Sequence, residues 1–121
     1  MGAKYRLPTD EEWSRAVGLP SEPGATPAEK NGKNVVNFPW GLDFPPKEKV
    51  GNYADAAFHG TFPKDSWMEG YTDGFATTAP VGSFAANDYG IYDLGGNMWE
   101  WCEDWFDGQQ MDRIIRGGDV V

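Results

Sequence analysis

Residues 87–101 constrain the possible folds more than any other part of the chain. This stretch combines glycines, two tryptophans and the side-chain oxygens of Asp93, Asn97 and Glu100. Glycine allows the backbone to turn where other residues cannot, and carboxylate, amide and main-chain oxygens are the ligands of Ca²⁺. The stretch therefore predicts a structural metal loop that leads into a buried strand. The alternative is an ordinary turn in which Asp and Asn bond to their own backbone.

The size and composition of the chain predict a single, loop-rich domain over residues 1–121. A chain of 121 residues can bury one modest core. Aromatic residues make up 15% of the sequence and can supply the volume of that core, since each buries a large area. The 16 glycines and 9 prolines favour irregular structure over long helices or strands.

The charge of the chain excludes several classes of partner. The formal net charge is −9, which argues against nucleic acid and against an anionic membrane surface, because both attract Lys and Arg. The same charge is compatible with divalent cations and with neutral ligands. No apolar run approaches the length of a membrane span, and the N-terminus lacks the pattern of a secretion signal. These features predict a cytoplasmic protein.

The single cysteine and single histidine limit the chemistry of the chain. Cys102 has no second cysteine for a disulfide or a Cys-x-x-Cys site. Acidic neighbours, including Glu100 and Glu103, predict a buried, inert thiol, because a reactive thiolate needs a cationic environment. His59 is predicted to be a solvated loop residue. A carboxylate pair of the glycosidase type remains open, although no particular pair is indicated.

Residues 7–18 predict one helix. Thr9 is the predicted N-cap, and Glu12 three residues later completes a capping box. Trp13 lies on the apolar face of this helix, and Gly18 is a suitable C-terminal stop.

The rest of the chain predicts short strands between loops. Residues 19–34 read as a surface loop, and residues 51–80 lack the periodicity of either helix or strand. The predicted strands are an edge strand at 79–84, a buried central strand at 99–106 and a short strand at 113–116.

The tryptophans have two predicted roles. Trp13, Trp99 and Trp101 lie in patterned segments and are predicted to pack in the core. Trp67 lies in a loop near Tyr71, and these two residues are the candidates for contact with a ligand, with simple packing as the alternative.

Five ordered motifs resemble those of one family. They are Arg6–Trp13 (RLPTDEEW), Phe38–Gly41 (FPWG), Thr78–Gly82 (TAPVG), Asn87–Trp101 (NDYGIYDLGGNMWEW) and Arg113–Gly118 (RIIRGG). The match runs from Lys4 to Gly118 and is similar to the formylglycine-generating-enzyme, or sulfatase-modifying-factor, family.

The resemblance implies an α+β, C-type-lectin-like fold that is mostly irregular, with a small antiparallel sheet and one or two helices. It also implies two structural calcium sites. The first would use Asn52, the Tyr53 carbonyl, Asp73 and the Phe75 carbonyl. The second would use Asp93, the Gly96 and Met98 carbonyls and Glu100.

Two departures from the family pattern bear on activity. Enzymes of this family use copper and a pair of cysteines downstream of the Arg-Gly-Gly motif, whereas this sequence ends at Val121 and its one cysteine lies elsewhere. The family's usual Ser-Trp after Gly-Gly is Asp119-Val120 here. We therefore expect a truncated domain that binds no copper and is not an enzyme.

The predicted function is a non-catalytic binding or assembly module on a calcium-stabilised scaffold. One alternative is a fragment of an oxidase that needs a partner to supply the redox cysteines. Another is a receptor for a carbohydrate or peptide. Exposed sheet edges invite pairing with another chain, so a homodimer is also predicted.

Overall fold

The structure is a computed structural model and describes residues 2–34 and 36–118. Its regular elements are short, and no helix among these residues is long and apolar enough to cross a membrane. The elements in chain order are α1 (Asp10–Val17), α2 (Pro27–Lys30), α3 (Ala56–Thr61), β1 (Glu100–Trp105) and β2 (Arg113–Arg116). This small α+β arrangement agrees with the predicted class. The Asp119-Val120 difference lies outside the described residues.

Helix α1 confirms the predicted capped helix. The Thr9 hydroxyl accepts a hydrogen bond from the Glu12 main-chain N–H at 3.1 Å, and the Glu12 carboxylate accepts one from the Thr9 N–H at 2.8 Å. Thr9 itself is extended, so the helix begins at Asp10 rather than at residue 7. Gly18 ends the helix with φ +93°, a conformation that glycine adopts without strain.

Helices α2 and α3 lie in segments that were predicted to lack regular structure. Each begins at a side-chain cap: Thr26 accepts from the Glu29 N–H, and Asp55 accepts from the Phe58 N–H. With four and six residues, they are too short to show a helical hydrophobic period. The sequence signals for these two helices are their caps: Thr26 followed by Pro27 is a typical helix start, and so is Asp55.

Strands β1 and β2 form an antiparallel pair. Glu100 lies opposite Arg116 and Trp101 opposite Ile115, and the register is irregular between Trp101 and Trp105. The strand at 113–116 is confirmed. The expectation of a buried central strand at 99–106 is wrong, because the sheet has two strands in the described part of the chain and only Cys102 of β1 is fully buried.

The expected edge strand at 79–84 is also wrong. Ser83 donates its main-chain N–H to the Pro80 carbonyl at 3.2 Å, which closes a turn, and Gly82 has φ +78°. A proline followed by a left-handed glycine favours a turn over an extended segment.

The apolar core joins α1 to one face of the sheet. It consists of Trp13, Val17, Cys102 and Ile114, and Leu19, Leu94 and Phe106 pack against it. Trp13 is therefore a core residue, as predicted. Trp99 and Trp101 are not, since their side chains are 47% and 59% exposed. The alternation of β1 explains this difference: Cys102 faces the core, so Trp101 faces away from it.

Charged side chains cover the edge of this core. Arg116 contacts the Asp10 carboxylate, and its guanidinium carbon lies 4.4 Å from the centre of the Trp13 ring. Lys30 Nζ lies 3.5 Å from Asp10 Oδ2, so α2 is held against α1. A cavity of about 390 Å³ runs between β2 and the α2 segment beside these groups.

Candidate metal sites

Asn52 links three loops through one fully buried side chain and its own peptide groups. Its main-chain N–H donates to Asp93 Oδ1 at 2.9 Å, and its carbonyl accepts from the Asn97 N–H at 2.7 Å. Its side-chain Nδ2 donates to the Thr77 carbonyl and to Asn97 Oδ1, each at 2.8 Å. We call Asn52, Asp73, Asp93 and Asn97 the Asn52 junction.

The carboxamide oxygen of Asn52 is the unusual atom in this junction. Asn52 is 0% exposed, yet its Oδ1 has no hydrogen-bond partner within residues 2–34 and 36–118. A buried oxygen without a partner costs about 1–3 kcal/mol, so native proteins rarely leave one. A side-chain amide oxygen is also a ligand that Ca²⁺ accepts. This atom therefore fits the first set of ligands that the family resemblance implies.

Asp73 lies beside Asn52 and is oriented by main-chain donors. Its Oδ2 accepts from the Tyr53 N–H at 2.9 Å, and its Oδ1 accepts from the Phe75 N–H at 2.7 Å. Behind it, the fully buried Asp55 accepts from the Asp73 N–H at 2.6 Å. These hydrogen bonds link Asp73 to Tyr53, which follows Asn52 in the chain, and to Phe75, while the metal site itself stays a prediction. Burial, together with the nearby Asp55, raises the pKa of the Asp73 carboxyl.

Two residues of the second predicted set, Met98 and Glu100, lie beside Gly117. A methyl group built on Gly117 would lie 2.6 Å from Glu100 Oε2, 3.1 Å from the Met98 carbonyl oxygen and 3.5 Å from the Leu94 carbonyl oxygen. Three oxygens therefore converge on a space that any side chain larger than hydrogen would fill. Carbonyl and carboxylate oxygens at such a point form the type of donor set that Ca²⁺ prefers.

Two other members of the second set accept main-chain hydrogen bonds. The Gly96 carbonyl accepts from the Met98 N–H at 2.8 Å, and Asp93 Oδ1 points to the Asn52 N–H. Asp93 therefore belongs to the Asn52 junction, while Glu100 and Met98 face the Gly117 space. The Leu94 carbonyl was missed because a main-chain oxygen of an apolar residue leaves no signal in a sequence.

The carboxyls of both sites hold their protons more tightly than usual. Burial, and then the nearby Asp73, raises the pKa of Asp93 to about 6. Burial raises the pKa of Glu100 to about 7, against the opposing effect of the Trp13 Nε1–H, which donates to Glu100 Oε2 at 3.4 Å. Charged carboxylates in this region are costly unless a cation compensates them.

The donor set also limits which metal the sites could hold. Among the described residues no group of three or more His, Cys, Asp and Glu side chains is placed to bind one ion. Structural zinc is held by four Cys or His ligands, so these sites do not fit zinc. They fit only an ion that accepts carbonyl oxygens alongside carboxylates, as Ca²⁺ does.

The two residues predicted to contact a ligand, Tyr71 and Trp67, pack against other parts of the chain. Tyr71 is 4% exposed, and its hydroxyl donates to the Gly51 carbonyl at 2.6 Å, so it supports the backbone beside Asn52. Trp67 is half-buried, and the His59 ring stacks on it at 4.6 Å between ring centres. The expectation of a solvated loop histidine is wrong, since His59 lies in α3 and is half-buried.

Cys102 is the one cysteine of the sequence and lies at the centre of the apolar core. It is 0% exposed. Burial, with the nearby Asp10 carboxylate, raises the pKa of its thiol to about 11. The thiol is therefore neutral at physiological pH, in agreement with the predicted inert role.

Comparison with known proteins identifies the family. The profile of the sulfatase-modifying factor enzyme 1-like domain matches residues 1–121, so the chain belongs to this family. It is 38% identical over 104 residues to the formylglycine-generating enzyme of Thermomonospora curvata, covering 86% of this chain and 28% of that protein.

Two further relatives include one that is named as inactive. The chain is 36% identical over 118 residues to the inactive C-alpha-formylglycine-generating enzyme 2 of Bos taurus, covering 96% of this chain and 32% of the relative. It is 30% identical over 134 aligned positions to the formylglycine-generating enzyme of Streptomyces coelicolor, covering 98% of this chain and 37% of the relative. The chain thus spans roughly a third of the length of these proteins.

Proposed function

We propose that this chain is a calcium-stabilised, non-catalytic binding or assembly module built on the C-type-lectin-like fold of its family. The observation that carries the metal assignment is the oxygen-lined space at Gly117, formed by Glu100 Oε2 and the Met98 and Leu94 carbonyls. The buried Asn52 Oδ1, which lacks a donor in the described part of the chain, supports a second position for the ion. Bound Ca²⁺ would stabilise the folded state by mass action.

The non-catalytic assignment rests on the thiol chemistry of this sequence. The family resemblance implies an oxidation that uses two cysteines, whereas the sequence has Cys102 alone, and this residue is buried and protonated. Family membership does not decide the question, because the relatives include proteins named as enzymes and proteins named as inactive at similar identity. The 121 residues are therefore assigned binding rather than oxidation.

The first experiment is thermal unfolding with calcium and with a chelator. We expect the melting temperature to rise with Ca²⁺, and to rise less with Mg²⁺, which requires stricter octahedral geometry. Gly117→Ala would place a methyl group 2.6 Å from Glu100 Oε2 and should abolish the calcium-dependent rise. Superimposable curves with calcium and with chelator would contradict the metal assignment.

Gly82→Ala is the matched control for Gly117→Ala. Gly82 also has a left-handed backbone, with φ +78° against +99° at Gly117, so alanine is strained at both positions. A methyl group at Gly82 meets nothing within 4 Å. The Gly82→Ala protein should therefore lose stability but keep its response to calcium. An equal loss of response in both variants would show that backbone strain, rather than the oxygen-lined space, is responsible.

Two variants that each remove one negative charge test the role of the Glu100 carboxylate. Glu100→Gln keeps the shape of the side chain but removes its charge, and should weaken calcium binding by at least about tenfold. Glu69→Gln, at an exposed glutamate, removes the same charge from the chain and should leave binding unchanged. Isothermal titration with CaCl₂ measures both. If the two variants bind alike, the ion is attracted by the net charge of −9 and not by this site.

The oxidase-fragment alternative makes a different prediction. It requires thiols and copper from another polypeptide, so it predicts conversion of a peptide cysteine to an aldehyde in a reconstituted mixture. The purified chain alone should give no aldehyde by mass spectrometry. Aldehyde formed by the unaided chain would overturn the non-catalytic assignment, whereas it would leave the calcium assignment intact.

A further inference from the structure

The outer face of the two-stranded sheet is an exposed strip that the core does not use. Trp101 and Ile115 are cross-strand partners and are 59% and 41% exposed. Trp99 directly precedes β1 and is 47% exposed, and we extend the alternation of β1 by this one residue to place it on the same side. Glu103 and Arg113 extend the strip. We call these five residues the tryptophan face.

The charge of this face suits a second copy of the same chain. Two chains with a net charge of −9 repel each other, so they can approach closely only through surfaces without net charge. On the tryptophan face Glu103 and Arg113 carry opposite charges, and the adjoining Arg6, 3.6 Å from Glu103, is itself paired with Glu12, so these four charges cancel. The Arg113 guanidinium lies 3.6 Å from the centre of the Trp105 ring, which holds it flat against the sheet.

We propose that two copies of this chain form a weak, twofold-symmetric dimer through their tryptophan faces. A twofold axis that runs parallel to the strands, between the two sheets, places β1 of one copy over β2 of the other. Trp101 then packs against Ile115 of the second copy, and Glu103 comes within reach of Arg113 of the second copy. Each contact occurs twice, as a self-complementary interface requires.

The available area agrees with a weak interface. The two exposed indoles alone present on the order of 250 Å². Ile115 and the aliphatic parts of Glu103 and Arg113 enlarge this patch, so that two copies together approach the roughly 1,000 Å² that a specific contact needs. We therefore expect a dissociation constant in the range of roughly tens of micromolar or weaker.

Sedimentation equilibrium up to a few hundred micromolar tests the proposal. The wild-type chain should show a monomer–dimer equilibrium, and Trp101→Ser should weaken it at least about tenfold. Tyr5→Ser is the control, because Tyr5 is 93% exposed but lies outside the face. A wild-type monomer at every concentration, or a dimer that Trp101→Ser leaves unchanged, overturns the proposal.

A charge-reversal set tests the twofold arrangement itself. Glu103→Arg sets arginine against Arg113 of the second copy, and Arg113→Glu sets glutamate against Glu103 of the second copy, so each variant alone should lose dimerisation at least about tenfold. When the two variants are mixed, both contacts again pair opposite charges, and a heterodimer should form. A mixture that stays monomeric while wild type dimerises contradicts this arrangement.

The intramolecular ion pair at this position calls for one further measurement. Glu103 Oε2 lies 3.6 Å from Arg6 in the same chain, so its reversal could disturb the local structure. Circular dichroism and melting of each dilute variant report the fold, and rescue in the mixture cannot arise from misfolded chains. Sedimentation reports the dimer, and the melting response to calcium reports the metal sites. The melting response is measured at low protein concentration, where the chains do not associate, so either proposal can fail without the other.

Discussion

The apolar core and the Asn52 junction stabilise the molecule in opposite ways. The core (Trp13, Val17, Cys102 and Ile114) joins α1 to the sheet through apolar contact. The junction contains no regular element and instead joins loops through buried hydrogen bonds. Apolar contact tolerates small shifts, whereas a buried hydrogen bond depends on geometry and is costly to leave incomplete.

The difference shows how a chain with little regular structure can still hold defined loops. Ladder hydrogen bonds satisfy the backbone in helices and sheets, but a loop must find other partners. Here the side chains of Asn52, Asp73, Asp93 and Asn97 accept or donate those bonds. The loops are therefore specified by particular polar side chains rather than by a hydrophobic pattern, and cation sites arise where oxygens converge.

Removal of the largest core side chain should have the largest effect. Trp13→Ala should lower the free energy of unfolding by about 3–5 kcal/mol, because it leaves a cavity and removes the ring that packs against Arg116. Chemical denaturation of dilute protein measures this. Trp101→Ala, at an exposed tryptophan, should cost less than about 1 kcal/mol. Equal losses would mean that the buried Trp13 contributes no more to stability than the exposed Trp101.

Asn52→Ala should have the next largest effect. It removes two side-chain hydrogen bonds of a fully buried residue, one to the Thr77 carbonyl and one to Asn97 Oδ1, which should cost about 2–3 kcal/mol. Asn31→Ala, at an exposed asparagine, should be close to neutral. If Asn52→Ala were as mild as Asn31→Ala, the junction would not contribute to stability and the comparison with the core would fail.

The cap of α1 should contribute less than either region. Thr9→Ala removes the side-chain acceptor for the Glu12 N–H and should cost about 1 kcal/mol. Thr9→Ser retains the hydroxyl and should recover most of that loss. The two variants are compared by denaturant midpoint. A Ser variant as unstable as the Ala variant would show that the methyl group of Thr9, rather than its hydroxyl, supports the helix.

The smallest expected effect is the pH dependence of the metal-free protein. The folded-state pKa values of Asp93 and Glu100 are about 6 and about 7, above the ordinary values of 3.8 and 4.5. Because the folded state holds these protons more tightly, their contribution to stability is present at low pH and is lost as pH rises toward 7.

Melting curves of chelated protein between about pH 5 and about 7.5 test the sign. The melting temperature should fall across this range, and Glu100→Gln should flatten the change. Saturating calcium should reverse the trend, because the ion favours the ionised carboxylates. The effect should be modest, since both carboxyls keep part of their contact with solvent. A metal-free protein that becomes more stable as pH rises would contradict the raised pKa values.

The parts of the structure that could be predicted are those with a local signal. The capping box and helical period of α1 lie within ten residues, and the strand at 113–116 is bounded by charges and glycines. The faces of β1 could not be predicted, because its apolar residues give no clean alternation and the number of strands beside it decides which of them are buried.

The candidate site was predictable only in part, for a physical reason. Glu100 was identified from the oxygens of residues 87–101 and Asn52 and Asp73 from the family resemblance, and the structure places them among buried or converging oxygens. The Leu94 carbonyl and the backing carboxylate of Asp55 were missed. Asp55 contacts Asp73 and the Leu94 carbonyl lies near Gly117, and in each case the two residues are far apart in the sequence. Neither a leucine nor an aspartate is unusual in such a segment, so the sequence contains no signal for either.

The Asn52 junction also has a consequence for how the molecule opens. The main-chain N–H groups of Asn52, Ala79 and Asn97 all bond to partners in other loops, and each bond depends on the same cluster of side chains. No one loop can detach without exposing the polar groups that hold the others. The three segments therefore form one cooperative unit of local unfolding, in which loops distant in sequence exchange their amide protons together.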